Sequence, residues 1–202
     1  MRRVLVLVIG FALLMATPGL AMAQPARSAT NQKAVETVIA RALSQRGVPF
    51  AYGGGGASGP SKGTVALPEP TTPDQAALDA QSLQLTPGLN LPGVGADTAM
   101  PSPAPAPRVE VVGFDASALM VYAYAGVGVK LPRSSGEMYK VGQKVAPAMA
   151  LPGDLIFYGP EGTQSVALFA GNGKMVETTD TGVALSPVRT NGMTPYLVRI
   201  IS

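Results

Sequence analysis

The two side chains that most often carry covalent chemistry in small hydrolases, cysteine and histidine, are absent from all 202 residues. Without Cys there is no thiol nucleophile, disulfide, thiolate-bound metal or lipid-anchor site. Without His there is no imidazole base or zinc ligand. The remaining candidates for chemistry are the oxygen and guanidinium groups of Ser, Thr, Tyr, Asp, Glu and Arg. A serine hydroxyl does not titrate near neutrality and needs a neighbouring base to become a nucleophile. The run Gly53-Gly54-Gly55-Gly56 lacks the Lys-Ser/Thr that would hold a phosphate and its metal, so it reads as a turn. Gly171-Asn172-Gly173-Lys174 reads as a hairpin turn. No cofactor or metal is expected.

Several elements must position these groups. Asp115 sits where it can cap a helix, and Leu119, Tyr122 and Ala123 follow at the spacing of a buried helical face. Residues 31–46 read as an amphipathic helix, with Val35, Val38, Ile39, Ala42 and Leu43 on one face and Gly47 as its stop. Leu151-Pro152-Gly153-Asp154 reads as a turn into a buried strand, and Ser165 opens a second strand. Residues 183–185 and 196–201 complete a sheet.

The start of the chain carries its own signal. Arg2 and Arg3 precede an apolar run from Val4 to Leu14, and Ala21-Met22-Ala23 fits a small-x-small cleavage rule. Residues 1–23 are expected to be a cleaved signal peptide, because the apolar run is short of the roughly 20 residues a bilayer requires. The formal charge is +3, but without Arg2 and Arg3 thirteen cations face twelve anions, a net of +1. Nucleic acid is a poor partner for such a surface. The expected location is therefore secreted, in the cell wall or periplasm, with no membrane anchor after cleavage.

Ten of the 19 prolines fall between Pro60 and Pro107, ending in Pro101-Ser102-Pro103-Ala104-Pro105-Ala106-Pro107. Residues 57–108 read as a Pro/Gly-rich insertion, mostly unpacked, with a helical turn or two possible over 74–85. It separates residues 24–56 from 109–202, which together form the folded part.

The order Asp115-Ala116-Ser117-Ala118-Leu119-Met120-Val121-Tyr122, then Gly128-Val129-Lys130-Leu131-Pro132-Arg133-Ser134-Ser135, resembles the NlpC-type cell-wall D,L-endopeptidases. Those enzymes are papain-like cysteine peptidases that cut peptidoglycan stem peptides. Val48-Pro49-Phe50-Ala51-Tyr52-Gly53-Gly54, Leu151-Pro152-Gly153-Asp154-Leu155-Ile156-Phe157 and Ser165-Val166-Ala167-Leu168-Phe169 continue the pattern. The resemblance implies an α+β, papain-like fold with helices packed on an antiparallel sheet. It also implies that Ala116 occupies the nucleophile's position at a helix N-terminus and Ser165 that of the base. Glu177 occupies the position of the residue that orients the base. Ala118 replaces a glycine and Met138 a common glutamine. The departures fall at the chemistry, as in a non-catalytic mycobacterial member of that family.

The resemblance thus implies a pseudo-enzyme that binds peptidoglycan stem peptides through Tyr52, Asp115, Ser117, Arg133 and Glu177, with Ala116, Ser165 and Glu177 as vestigial catalytic positions. Two alternatives stand beside it. One is a residual hydrolase using Ser117. The other is an interaction module whose proline-rich insertion docks onto other cell-wall hydrolases. On all three readings Ala116, Ser165 and Glu177 should converge at one cleft.

Overall fold

The computed structural model describes residues 27–67 and 108–202. The expected signal peptide, the possible turn at 74–85 and the proline run before Arg108 lie outside the described residues. The first helix, α1 (Ala29–Leu43), starts two positions earlier than its apolar pattern predicts, because the Ser28 hydroxyl accepts from the Asn31 N–H at 3.2 Å. Val35, Val38 and Ala42 form its buried stripe, as the spacing requires.

Helix α2 (Ala116–Ala125) is capped by Asp115, whose carboxylate accepts from the Ala118 N–H at 2.7 Å. It is buried around much of its circumference, including Leu119, Met120, Ala123 and Tyr124. Tyr122 is only half-buried, with Arg41 lying 4.2 Å from its ring centroid. A short helix α3 (Ser135–Lys140) follows, capped by Ser134.

The main sheet is built from β3 (Gln143–Val145), β4 (Leu155–Tyr158), β5 (Ser165–Gly171), β6 (Lys174–Thr179), β7 (Gly182–Pro187) and β8 (Leu197–Arg199). Its spatial order is β3-β8-β4-β5-β6-β7, with every neighbouring pair antiparallel. The β5–β6 turn needs left-handed backbone at Asn172 (φ 50°) and Gly173 (φ 65°), which an Asn-Gly pair adopts at little cost.

All four residues of β4 are buried, and alternation sends them to opposite faces of the sheet. Leu155 and Phe157 join Val38, Leu119, Tyr124, Val166, Leu168 and Val176 in the core under the helices. Ile156 and Tyr158 join Val145, Ala167, Met175 and Leu197 on the far side. Each fully buried Leu or Phe contributes about 1.5–3 kcal/mol, so this sandwich fixes α2 against β5. The expected α+β, papain-like arrangement is what the chain forms.

The insertion departs from expectation at its two ends. Strands β1 (Ser61–Ala66) and β2 (Arg108–Gly113) pair antiparallel in full register, from Ser61↔Gly113 to Ala66↔Arg108. Residues 61–66, expected to be unpacked, are therefore in a ladder; the remainder, 68–107, lies outside the described residues. The reason is local: Val65 faces Val109 across the ladder, with Thr64 beside it and Val111 and Val112 on the partner strand. The ladder is tied to the rest of the domain because Tyr52 and Thr64 exchange backbone hydrogen bonds of 2.8 and 3.0 Å.

Close backbone approach sets the entrance to α2. A Cβ on Gly113 would lie 2.1 Å from the Pro49 carbonyl oxygen, itself the acceptor for the Phe114 N–H. Gly113→Ala is expected to lower stability by about 1–3 kcal/mol, the cost of forcing a methyl into packed backbone. Urea unfolding would read this as a lower midpoint at unchanged slope. The methyl of Ala118, where the family resemblance expects glycine, is accommodated by its neighbour. A Cβ on Gly55 would lie 3.0 Å from Ala118 Cβ and 2.3 Å from the Phe114 ring.

Candidate binding groove at the start of helix α2

The chain before β1 is laid against the entry to α2. Ala51 N–H donates to the Phe114 carbonyl at 3.0 Å, and Asp115 N–H donates to the Gly54 carbonyl at 3.1 Å. This puts the Tyr52 turn beside the helix N-terminus. The sandwich puts the first residue of β5 on the other side. Between them lies an open groove of about 600 Å³ lined by Phe50, Tyr52, Asp115, Ala116, Ser117, Arg133, Glu137 and Ser165, among others.

Ala116 and Ser165, the positions where a nucleophile and base are expected, thus meet at one groove. Glu177 does not line it. Its carboxylate is buried and bonded to the Arg189 guanidinium, which lies 4.8 Å from the Tyr158 ring centroid. The hydrogen bond it donates to Glu177 holds Arg189 even more firmly in its charged form. Strand alternation puts Glu177 on the face of Met175 and Ser165 on the face of Ala167, and both of those neighbours belong to the far-side cluster, so the two positions share a sheet face. What diverts Glu177 is its bond to Arg189. Of the three positions, Ala116 and Ser165 line the groove and Glu177 does not.

Asp115, Ser117 and Arg133 are brought together, but largely to satisfy one another. Arg133 forms a bidentate pair with Asp115, at 2.9 and 2.7 Å. It also donates to Ser117 Oγ at 2.7 Å and to the Gly54 carbonyl at 3.3 Å. Ser117 Oγ in turn donates to Asp115 Oδ1 at 3.0 Å. The Ser117 hydroxyl is buried, its proton engaged by a carboxylate and its oxygen by a guanidinium. An oxygen in that setting is a poor nucleophile. Tyr52 is the opposite case: it is 68% exposed and free to contact a ligand.

Further lining residues escape the pattern that singles out the others: Ser134, Ser135, Glu137, Thr163, Gln164 and Thr178. Ser134 and Ser135 directly follow Arg133, which was the available signal. Thr163 and Gln164 come from a turn fixed by the Gln164 N–H, which donates to the Tyr158 carbonyl at 3.1 Å, and by packing against Gly136, where a Cβ would lie 3.0 Å from Thr163 Cγ2. Among the described residues, no group of three or more His, Cys, Asp or Glu is placed to hold a metal ion. No described helix is long and apolar enough to cross a membrane.

A helical half carrying a small residue at a helix N-terminus, packed on an antiparallel sheet that supplies the opposite groove wall, defines a papain-like peptidase domain. The sequence model of the NlpC/P60 family matches residues 47–202, and the chain belongs to that family. It is similar to RipB of Mycobacterium tuberculosis, a peptidoglycan endopeptidase, with 43% identity over 175 residues, covering 86% of this chain and 56% of RipB. It is also similar to the peptidoglycan endopeptidase RipA of the same organism, at 42% identity over 173 residues, covering 85% of this chain and 28% of RipA. The chain therefore spans about half or less of the curated relatives it matches.

Among solved structures it is similar to RipD of M. tuberculosis, described as a non-catalytic NlpC/p60 domain protein adapted to peptidoglycan binding. Identity there is 51% and the TM-score 0.58, covering 83% of this chain and 97% of that one. RipB superposes with a TM-score of 0.62 at 41% identity, covering 88% of this chain and 69% of that one.

Proposed function

We propose that this chain is an exported, non-catalytic peptidoglycan-binding protein whose groove holds stem peptides without cutting them. The observation that carries the reading is the pairing of Ala116 with Ser165 across an open groove, in a chain with no Cys or His anywhere. A methyl group and a neutral hydroxyl can neither attack a carbonyl nor take a proton at neutral pH. Ground-state contacts use partly different groups and survive their loss. Small side chains at both positions leave room for a ligand. The similarity to RipD supports the same reading; the similarity to RipA and RipB supports peptidoglycan as the polymer recognised.

A residual hydrolase acting through Ser117 is disfavoured by the engagement of that hydroxyl with Asp115 and Arg133. Incubating the mature protein with purified peptidoglycan tests the reading: the protein should pellet with the polymer and release no muropeptides. Robust release would overturn it. Tyr52→Ala should weaken pelleting about five- to tenfold, the loss of an exposed aromatic contact. Unchanged pelleting would move the contact surface away from the groove, as the interaction-module alternative requires. Glu177, occupied by Arg189, is left out of the proposed contact set.

A further inference from the structure

Three groove-lining residues carry charge: Asp115, Arg133 and Glu137. The first two cancel as a bidentate pair, and both terminal nitrogens of Arg133 are engaged with Asp115, Ser117 and Gly54. Glu137 is exposed and forms no ion pair among the described residues. One of its oxygens accepts from Ser134 Oγ at 2.8 Å, and the other accepts no hydrogen bond among the described residues. Lys140, the nearest cation on the same helix, is not within ion-pair distance of it. The groove therefore presents one uncompensated negative charge, next to the hydroxyls and amide of Ser134, Thr163 and Gln164. Thr163 Oγ1 gives its proton to the Pro160 carbonyl at 2.7 Å, so what it offers a ligand is a lone pair. A carboxylate flanked by neutral acceptors suits a primary ammonium, which has three protons to place.

We infer that Glu137 is a specificity-determining residue that selects ligands bearing a free primary amine. Resting on the peptidoglycan-binding reading above, the favoured ligand is a stem peptide whose diamino acid keeps its side-chain amine free. In a cross-linked stem that nitrogen is an uncharged amide, which offers at most one proton and no charge. The groove thus distinguishes un-cross-linked from cross-linked stems.

The test uses two soluble probes, a muramyl-tripeptide ending in meso-diaminopimelic acid and the same peptide acetylated on the side-chain amine. The mature protein should bind the free amine about tenfold more tightly, the scale of one charge-assisted hydrogen bond. Glu137→Gln should bind both probes with the affinity the native protein shows for the acetylated one. Glutamine at this position also completes the Ser134 capping box, so the helix start is retained. Glu137→Lys should invert the preference. Equal affinities in the native protein, or a preference that persists in Glu137→Gln, would overturn the inference. If intact peptidoglycan still pellets the protein in that event, only the role of Glu137 falls. If neither probe nor the intact polymer binds, the peptidoglycan reading falls with it.

Discussion

Ala116→Cys is expected to produce a reactive thiol and no peptidoglycan cleavage. Position 116 is the first residue of α2, where the helix dipole favours a thiolate. Iodoacetamide should therefore label the variant faster than an exposed cysteine placed elsewhere. Turnover also requires a proton acceptor, and Ser165 is not one. Losing one member of a catalytic triad costs on the order of 10⁴ to 10⁶ in rate, so muropeptide release should remain at background. Adding Ser165→His places an imidazole on the same groove and should yield slow release. Glu177 limits the gain, because its carboxylate is bonded to Arg189. Replacing Arg189 with Leu in the double variant should free Glu177 to pair with the new imidazole and raise the rate again. Release by Ala116→Cys alone would mean that another group serves as base. No gain from the third substitution would mean that Glu177 cannot reach position 165.

The parts of the fold visible in the sequence are those decided within a few residues. Asp115 as a cap, the apolar face of α2, the fully buried β4 and the Asn172-Gly173 turn each depend on neighbours along the chain. Ser28 shows how a single cap shifts a helix start that apolar spacing alone places later. The β1–β2 ladder was hidden for a different reason. Its partners are separated by a proline-rich stretch, and composition taken over the whole insertion masks Thr64 and Val65.

The groove divides in the same way. Ala116 and Ser165 were placed by motif order, and the structure brings them together. That Arg133, Asp115 and Ser117 would satisfy one another, rather than stand ready for a ligand, depends on side-chain geometry that spacing does not encode. The diversion of Glu177 depends on Arg189, a residue without any motif around it. In sequence, Glu137 looks like an ordinary charge on a short exposed helix. Its importance arises only when Asp115 and Arg133 neutralise each other across the groove.

Asp154→Ala is expected to be the most destabilising single change in the domain, by about 3–5 kcal/mol, the range for breaking a buried ion pair. Asp154 is completely buried at the turn entering β4. Arg199 holds it through Nε at 2.8 Å and Nη2 at 2.7 Å, and Arg27 adds a contact at 3.1 Å. Its Oδ2 also accepts from the Leu151 N–H at 2.7 Å, closing the turn, and its own carbonyl accepts from the Phe169 N–H at 2.9 Å. Alanine would leave two nearly buried guanidiniums facing each other with no counter-charge. The two arginines are not equivalent. Arg199 gains more from its bonds to Asp154 than it loses to burial, which holds it firmly in its charged form. For Arg27 burial is the larger effect and weakens its charged form, and its Nε finds no hydrogen-bond partner. Arg27→Met should therefore cost well under half as much as Asp154→Ala, since Arg199 alone still neutralises the carboxylate. Urea unfolding of both variants, at a common slope, gives the comparison directly. A loss within about 1 kcal/mol for Asp154→Ala would show that solvent reaches the arginines once the carboxylate is gone.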